Sequence, residues 1–155
     1  MAIIPAATDL TRPYWDNAKN GKLVIQGCNA CASNWHPPLP ACPHCHSSDL
    51  GWQQVSGTGT VYTYTVVRHA THAALAGHIP YVIAIVELTE GPRIVTGIIG
   101  CDCGDVRAGM KVQVRFEAVT DEVTLPYFEP APSLRAAVCK RRREAWDYLT
   151  ARSPL

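Results

Sequence analysis

Two pairs of cysteines in the first third of the chain constrain its fold more than any other feature. Two residues separate the members of each pair, and ten residues separate the pairs. Both sulfurs of such a pair reach one metal ion, and two pairs complete the tetrahedron that Zn²⁺ prefers. The sequence therefore predicts a zinc site with four ligands, Cys28, Cys31, Cys42 and Cys45, and leaves a single iron as the alternative metal.

This site is predicted to be structural. Four thiolates leave no open position for water. The prolines around the second pair exclude regular structure before Trp52, so that residues 21–54 are expected to be held by the cysteines and not by a packed core. Metal binding, which contributes about 10–16 kcal/mol in zinc peptides, would hold this zinc ribbon together. His36, His44 and His46 lie near the cysteines and are interpreted as surface residues of the loop. Ala32 and His46 follow the second cysteine of each pair, where a positive φ usually favours glycine.

Residues 55–130 have the pattern of a small β barrel. β-Branched and aromatic residues fill a first run, and Val112, Val114 and Phe116 alternate with polar residues in a later one. Five short strands in about 70 residues favour a closed barrel of the OB type over an open sheet. The predicted strands cover residues 60–67, 81–88, 93–99, 111–119 and 123–128.

Helices are predicted on either side of these two units, so that the fold class is mainly β. In residues 1–20, Asp9 or Thr11 can cap a short helix, Pro13 suits its first turn and Gly21 can end it. A brief strand over residues 22–26 leads from it to the cysteines, and residues 37–51 are expected to lack regular structure. In residues 131–155 an apolar stripe predicts a helical tail that another chain would cover.

Composition limits the classes of partner. Fourteen basic and 13 acidic side chains give a net charge of +1, which provides no long-range attraction to nucleic acid or anionic lipid. No apolar run approaches the ~20 residues of a membrane helix, and the first residues lack the basic region of a signal peptide. We therefore expect a cytoplasmic protein with reduced thiols.

The order of several motifs resembles one family, the acyl-CoA-associated proteins that join a rubredoxin-like zinc ribbon to an OB fold. The resemblance spans residues 14–130. It rests on Gly21-Lys-Leu-Val-Ile-Gln before the first cysteine pair, Pro37-Pro38, Ser56-Gly-Thr-Gly-Thr-Val-Tyr62, Pro80-Tyr-Val-Ile-Ala-Ile-Val-Glu-Leu88, Gly109-Met-Lys-Val112 and Tyr127-Phe-Glu-Pro130.

The resemblance implies a function in a complex. Members of the family are accessory subunits of thiolase-superfamily enzymes such as thiolases, acyltransferases and side-chain-cleaving aldolases, and some pair with hotdog-fold enoyl-CoA hydratases. We therefore expect a hetero-oligomer in which this chain assists assembly and binding of a CoA thioester, the substrate of the complex. The alternative is a module that binds single-stranded nucleic acid by stacking bases on Tyr62 and Tyr64, although the near-neutral charge argues against it.

No catalytic residue is predicted in the chain itself. Cys101 and Cys103 have the wrong spacing for a metal pair, and Cys139 has no histidine nearby in sequence. CoA phosphates require cations, of which arginine is the best suited. The candidate CoA-binding residues are Arg68, Arg93, Arg141, Arg142 and Arg143.

Overall fold

The computed structural model describes residues 5–70 and 72–133. The predicted C-terminal helix, Cys139 and Arg141 to Arg143 lie outside these residues. Up to Pro130 the described residues form one α-helix and eight strands: α1 Arg12–Lys19, β1 Val24–Cys28, β2 Asn34–Trp35, β3 Leu50–Gln54, β4 Thr58–Val67, β5 Tyr81–Leu88, β6 Arg93–Ile98, β7 Lys111–Ala118 and β8 Thr124–Pro130. Short 3₁₀ helices cover Ala73–His78 and Cys103–Asp105.

The predicted N-terminal helix is present. Thr11 occupies the N-cap position, but its side chain makes no capping hydrogen bond to the helix. Pro13 lies in the first turn, where the backbone N–H has no helical partner. Gly21 follows the helix with a φ of 70°, a left-handed conformation that glycine adopts at little cost. None of the helices in the described residues is long and apolar enough to cross a membrane.

The zinc ribbon contains a three-stranded antiparallel sheet in the order β2-β1-β3. β1 pairs with β3 from Val24 opposite Gln54 to Cys28 opposite Leu50. The prediction for this segment was partly wrong, because β1 begins two residues later than expected and Leu50 and Gly51 belong to a strand. The pairing of β1 with β3 joins residues that are more than 20 apart, and the local pattern does not encode it.

The five strands of the second unit close into a barrel in the order β4-β5-β6-β8-β7, with β7 also paired to β4. All pairs are antiparallel except β6 with β8. This confirms the predicted five-stranded OB-fold barrel. Alternate residues of β5 point inward, namely Val82, Ala84, Val86 and Leu88.

Close packing at the barrel seam explains one glycine. A Cβ on Gly59 would lie 2.5 Å from the carbonyl oxygen of Glu87 and 2.8 Å from Cγ1 of Val86. Only glycine therefore allows β4 to approach β5 at this point.

One hydrophobic core joins the ribbon and α1 to the barrel. Tyr14 of α1 and Val24 and Ile25 of β1 belong to the same buried cluster as Val61 and Phe128 of the barrel. A second, smaller cluster contains Cys28, Trp35 and Cys42, with Leu50 packed against it. The far end of the ribbon therefore has few apolar contacts of its own.

Candidate metal centre and its surroundings

The two cysteine pairs lie on two turns with the same backbone structure. In the first, the N–H of Cys28 donates to the carbonyl of Ser33 and that of Ala32 donates to the carbonyl of Cys28. Cys42, His46 and Ser47 make the equivalent two hydrogen bonds in the second turn. Ala32 and His46 have φ values of 56° and 61°, which confirms that both turns need a left-handed residue after the second cysteine.

The four sulfurs converge on one point. The Sγ atoms of Cys28 and Cys45 are 3.5 Å apart, those of Cys31 and Cys42 are 3.6 Å apart, and all four lie within 4.8 Å of one another. A tetrahedral zinc with Zn–S bonds of about 2.3 Å places its sulfurs about 3.8 Å apart. The cluster therefore fits a zinc ion, and Cys28, Cys31, Cys42 and Cys45 would hold it as a structural centre.

Burial and hydrogen bonding differ among the four ligands. Cys28 and Cys42 are buried, whereas Cys31 and Cys45 are exposed. The Sγ of Cys42 also accepts hydrogen bonds from the backbone N–H groups of His44 and Cys45, at 3.4 and 3.5 Å. Such bonds stabilise a thiolate. The first cysteine of each pair is thus the inner ligand, and the second faces solvent.

The thiols differ in proton affinity before a metal binds. The hydrogen bond to the Ser33 hydroxyl is the main cause that lowers the pKa of Cys31 to about 6. At Cys45 the backbone hydrogen bond of Ser47 lowers the pKa, but hydrogen bonds to Cys28 and Cys31 outweigh it and raise the pKa to about 12. Because the ligands must be thiolates, metal binding releases protons and weakens as the pH falls.

His36 is not the surface residue that the sequence suggested. Its ring packs against Tyr14, with ring centroids 5.2 Å apart, and its Nδ1 is buried with no hydrogen-bond partner among the described residues. Burial lowers the pKa of His36, so the ring is neutral at pH 7. The adjoining Pro37 and Pro38 line a cavity together with α1 and the barrel.

The structure does not bring the described CoA-binding candidates together. Arg68 is exposed directly after β4, beyond the pair of Val67 with Tyr81. Arg93 lies near the other end of the barrel, because it pairs with Glu87, which pairs with Thr60. Along β4, eight residues separate Arg68 from Thr60, the residue at the level of Arg93, which corresponds to about 25 Å. These two arginines therefore cannot bind the same phosphate group.

Arg93 already has partners within the chain. Its guanidinium forms an ion pair with Glu87 at 2.8 Å and lies 3.6 Å from the centroid of the Tyr62 ring. One face of the Tyr62 ring is therefore covered by a cation, and the side chain is 52% exposed.

A closed four-thiolate ribbon joined to an OB-fold barrel defines the class: a zinc-ribbon and OB-fold protein. Residues 15–51 match the family model described as "ChsH2, rubredoxin-like zinc ribbon domain", and residues 52–117 match "ChsH2, C-terminal OB-fold domain". The chain belongs to this ChsH2 family, whose archaeal relatives are described by the name DUF35.

Two curated relatives illustrate the range of the family. The chain is 45% identical over 118 residues to the "probable enoyl-CoA hydratase alpha subunit" of Thermomonospora curvata, covering 76% of this chain and 36% of that protein. It is 38% identical over 101 residues to a "DUF35 domain-containing scaffold protein" of Methanocaldococcus jannaschii, covering 64% and 71%. The chain thus spans about a third of the hydratase subunit and most of the scaffold protein.

A solved structure is similar over almost its whole chain. The "Ltp2-ChsH2(DUF35) aldolase" has 42% sequence identity to this chain and a TM-score of 0.75, with 82% of this chain and 98% of that chain covered. A Sulfolobus solfataricus DUF35 protein has a TM-score of 0.56 at 14% identity, which shows the shared fold alone.

Proposed function

We propose that this chain is a non-catalytic, zinc-containing accessory subunit of an enzyme that acts on acyl-CoA. The observation that carries the proposal is a cluster of four cysteine sulfurs that would saturate a metal ion, in a family whose relatives are named as subunits and scaffolds. A saturated centre has no position at which a substrate or water is activated. The metal centre would then stabilise the fold of the ribbon, and the folded ribbon would contact another subunit.

The remaining described thiols are poorly suited to catalysis. Burial, the largest cause, and the nearby Asp105 and Asp102 carboxylates raise the pKa of Cys101, which makes it a weaker nucleophile at neutral pH. The Sγ of Cys103 lies 3.4 Å from the carbonyl oxygen of Pro80, to which it donates. Neither environment resembles the electropositive surroundings of a reactive cysteine.

The partner in this proposal is a thiolase-like catalytic subunit. The similarity to the Ltp2-ChsH2(DUF35) aldolase supports it, because that structure is named for an aldolase together with a protein of this family. The second candidate is an enoyl-CoA hydratase subunit of the hotdog fold. Two relatives named as hydratase alpha subunits support that candidate, the second being the "3-oxo-4,17-pregnadiene-20-carboxyl-CoA hydratase alpha subunit" of Mycobacterium tuberculosis.

The experiment that tests the accessory function is assembly. The full chain is co-expressed in turn with an aldolase-type and with a hydratase-type subunit from the same genome, and the mass of each purified assembly is determined. We expect a hetero-oligomer that converts an acyl-CoA, and no conversion by this chain alone. The proposal would be refuted if the chain assembles with neither type of subunit, or if it converts a thioester without a partner.

CoA binding is tested in the same assembly. Arg68, exposed after β4, and Arg141 to Arg143 are the proposed contacts to CoA phosphates, whereas Arg93 is engaged by Glu87. Replacing Arg141, Arg142 and Arg143 together with glutamine should weaken acyl-CoA binding, measured by calorimetry. Unchanged affinity for acyl-CoA would show that Arg141 to Arg143 do not contact the CoA phosphates. The variant Arg68→Gln then tests whether Arg68 makes this contact.

A further inference from the structure

A cavity of about 280 Å³ lies where the three parts of the molecule meet. Tyr14 and Trp15 of α1 form one wall, and Pro37 of the ribbon forms another. Val95 of β6 and Tyr127 of β8 complete it from the barrel. Each structural unit thus contributes a wall, and the cavity exists only when α1, the ribbon and the barrel are all in place.

The cavity has the chemistry of a site for an apolar side chain. None of the described residues that line it carries an acidic side chain, a lysine or an arginine, and His36 is neutral because burial lowers its pKa. Its volume is slightly below the range of about 300–1,000 Å³ that is typical of small-molecule sites. Aromatic and proline walls around a small space are suited to one large apolar side chain.

The cavity continues into an exposed apolar surface. Val95 lines the cavity and is also 69% exposed, the highest value among the large hydrophobic residues that the structure describes as exposed. Ile83, which is 37% exposed, lies on the neighbouring strand opposite Gly97. Together with the cavity, these two side chains extend the apolar surface across neighbouring strands, and such a surface is suited to contact with another protein.

The charged side chain on the same strand as Val95 is already paired. Arg93, at the start of the same strand as Val95, forms its ion pair with Glu87 of the neighbouring strand. This ion pair leaves the part of the surface beside Val95 without net charge, and that part complements an uncharged, apolar surface on a partner.

We propose that the cavity and the exposed residues Val95 and Ile83 form the docking surface for the catalytic partner subunit, which inserts one apolar or aromatic side chain between Trp15, Pro37 and Tyr127. The inference rests on the proposed accessory function. It also gives the metal a role in docking, because Pro37 lies in the segment between β2 and the second cysteine pair. The side-chain Oε1 of Gln26 accepts the backbone N–H of Leu39 at 2.7 Å and holds this segment against β1.

The test uses the full chain and the catalytic subunit with which it assembles in the co-expression experiment. Val95→Arg places a charge on the exposed edge of the cavity, and Gln53→Arg makes the matched change on an exposed residue of the ribbon strand β3. We expect Val95→Arg to raise the dissociation constant of the assembly about 30-fold or more, and Gln53→Arg to leave it unchanged. Thermal unfolding of each variant alone verifies that it is folded.

A second measurement does not depend on a charge. A photo-crosslinking p-benzoylphenylalanine at position 95 should form a crosslink to the catalytic subunit, and the same group at position 53 should not. If the wild-type complex forms but Val95→Arg assembles equally well, or the crosslink joins two copies of this chain, the docking surface is wrong and the accessory function stands. If the wild-type chain assembles with neither type of subunit, the accessory function itself is refuted, and this inference with it.

Discussion

Replacing Cys42 with alanine should remove most of the affinity of this chain for zinc. Cys42 is 1% exposed, and its Sγ lies 3.6 Å from that of Cys31. Two backbone N–H groups donate to this sulfur. Alanine therefore removes a ligand from a buried corner of the tetrahedron that water reaches poorly, and it leaves both N–H groups without their acceptor.

The size of the effect follows from the number of ligands. If the binding free energy of about 10–16 kcal/mol is shared among four thiolates, each contributes about 2.5–4 kcal/mol. Loss of one thiolate then weakens binding roughly 100- to 1,000-fold. Cys31→Ala should lie at the lower end of this range, because Cys31 is exposed and a water molecule can take its place as fourth ligand.

The assay is competition for zinc between the full chain and a chromogenic chelator such as 4-(2-pyridylazo)resorcinol at fixed pH. Cys103→Ala is the matched control, since Cys103 lies outside the cluster of four sulfurs. The expected order of affinity is wild type equal to Cys103→Ala, then Cys31→Ala, then Cys42→Ala. Zinc affinity of Cys42→Ala within tenfold of the wild-type value would refute the four-thiolate centre.

Three further predictions rest on particular contacts. Because burial lowers the pKa of His36, the unfolded chain binds a proton at a pH where the folded chain does not. The free energy of unfolding of the zinc-loaded wild type should therefore be highest above the unfolded pKa of about 6.5 and should decrease as the pH falls below it. In urea unfolding between pH 7.5 and 5.5, the free energy of unfolding of His36→Gln should decrease less than that of the wild type. Equal decreases in the two proteins would contradict a buried, neutral His36. Gly59→Ala should cost about 1–3 kcal/mol, since its Cβ would lie 2.5 Å from the carbonyl oxygen of Glu87, whereas Gly104→Ala has open space and should leave the urea midpoint nearly unchanged. Equal midpoints for the two alanine variants would contradict the close packing of β4 on β5. Removal of zinc with a chelator should weaken assembly with the catalytic subunit as strongly as Val95→Arg, and added zinc should restore it. A metal-free chain that assembles normally would show that the cavity does not need the metal.

Local sequence pattern predicted those parts of the fold that local chemistry determines. The strand Tyr81–Leu88 has the predicted bounds, because its inward residues alternate without interruption and a glycine turn follows it. The cysteine spacing predicted the cluster of four sulfurs, since two such pairs supply the four ligands of one tetrahedral metal site.

Features that depend on contacts between distant parts of the sequence were missed, because the local sequence pattern does not encode them. β1 continues to Cys28 because Leu50 pairs with it from 22 residues away. His36 is partly buried because Tyr14 packs on its ring, a contact between a helix and a loop that share no sequence pattern. The aromatic residues Tyr14 and Trp15, followed much later by a pair of prolines, were the available signal, but only the fold shows that they face one cavity.

The shared hydrophobic core explains how a structural metal can influence a surface some distance from it. The ribbon is not an independent domain joined by a flexible linker, because Val24 and Ile25 of β1 are buried in the same hydrophobic cluster as the barrel residue Phe128. Its base is therefore fixed by apolar packing, whereas its far end, with only the small cluster around Trp35, depends on the metal. The segment that carries Pro37 lies between these two ends, so it is held from one side by the core and from the other by the thiolates. Loss of zinc frees one side only, which is why we expect it to open the docking cavity before it unfolds the barrel.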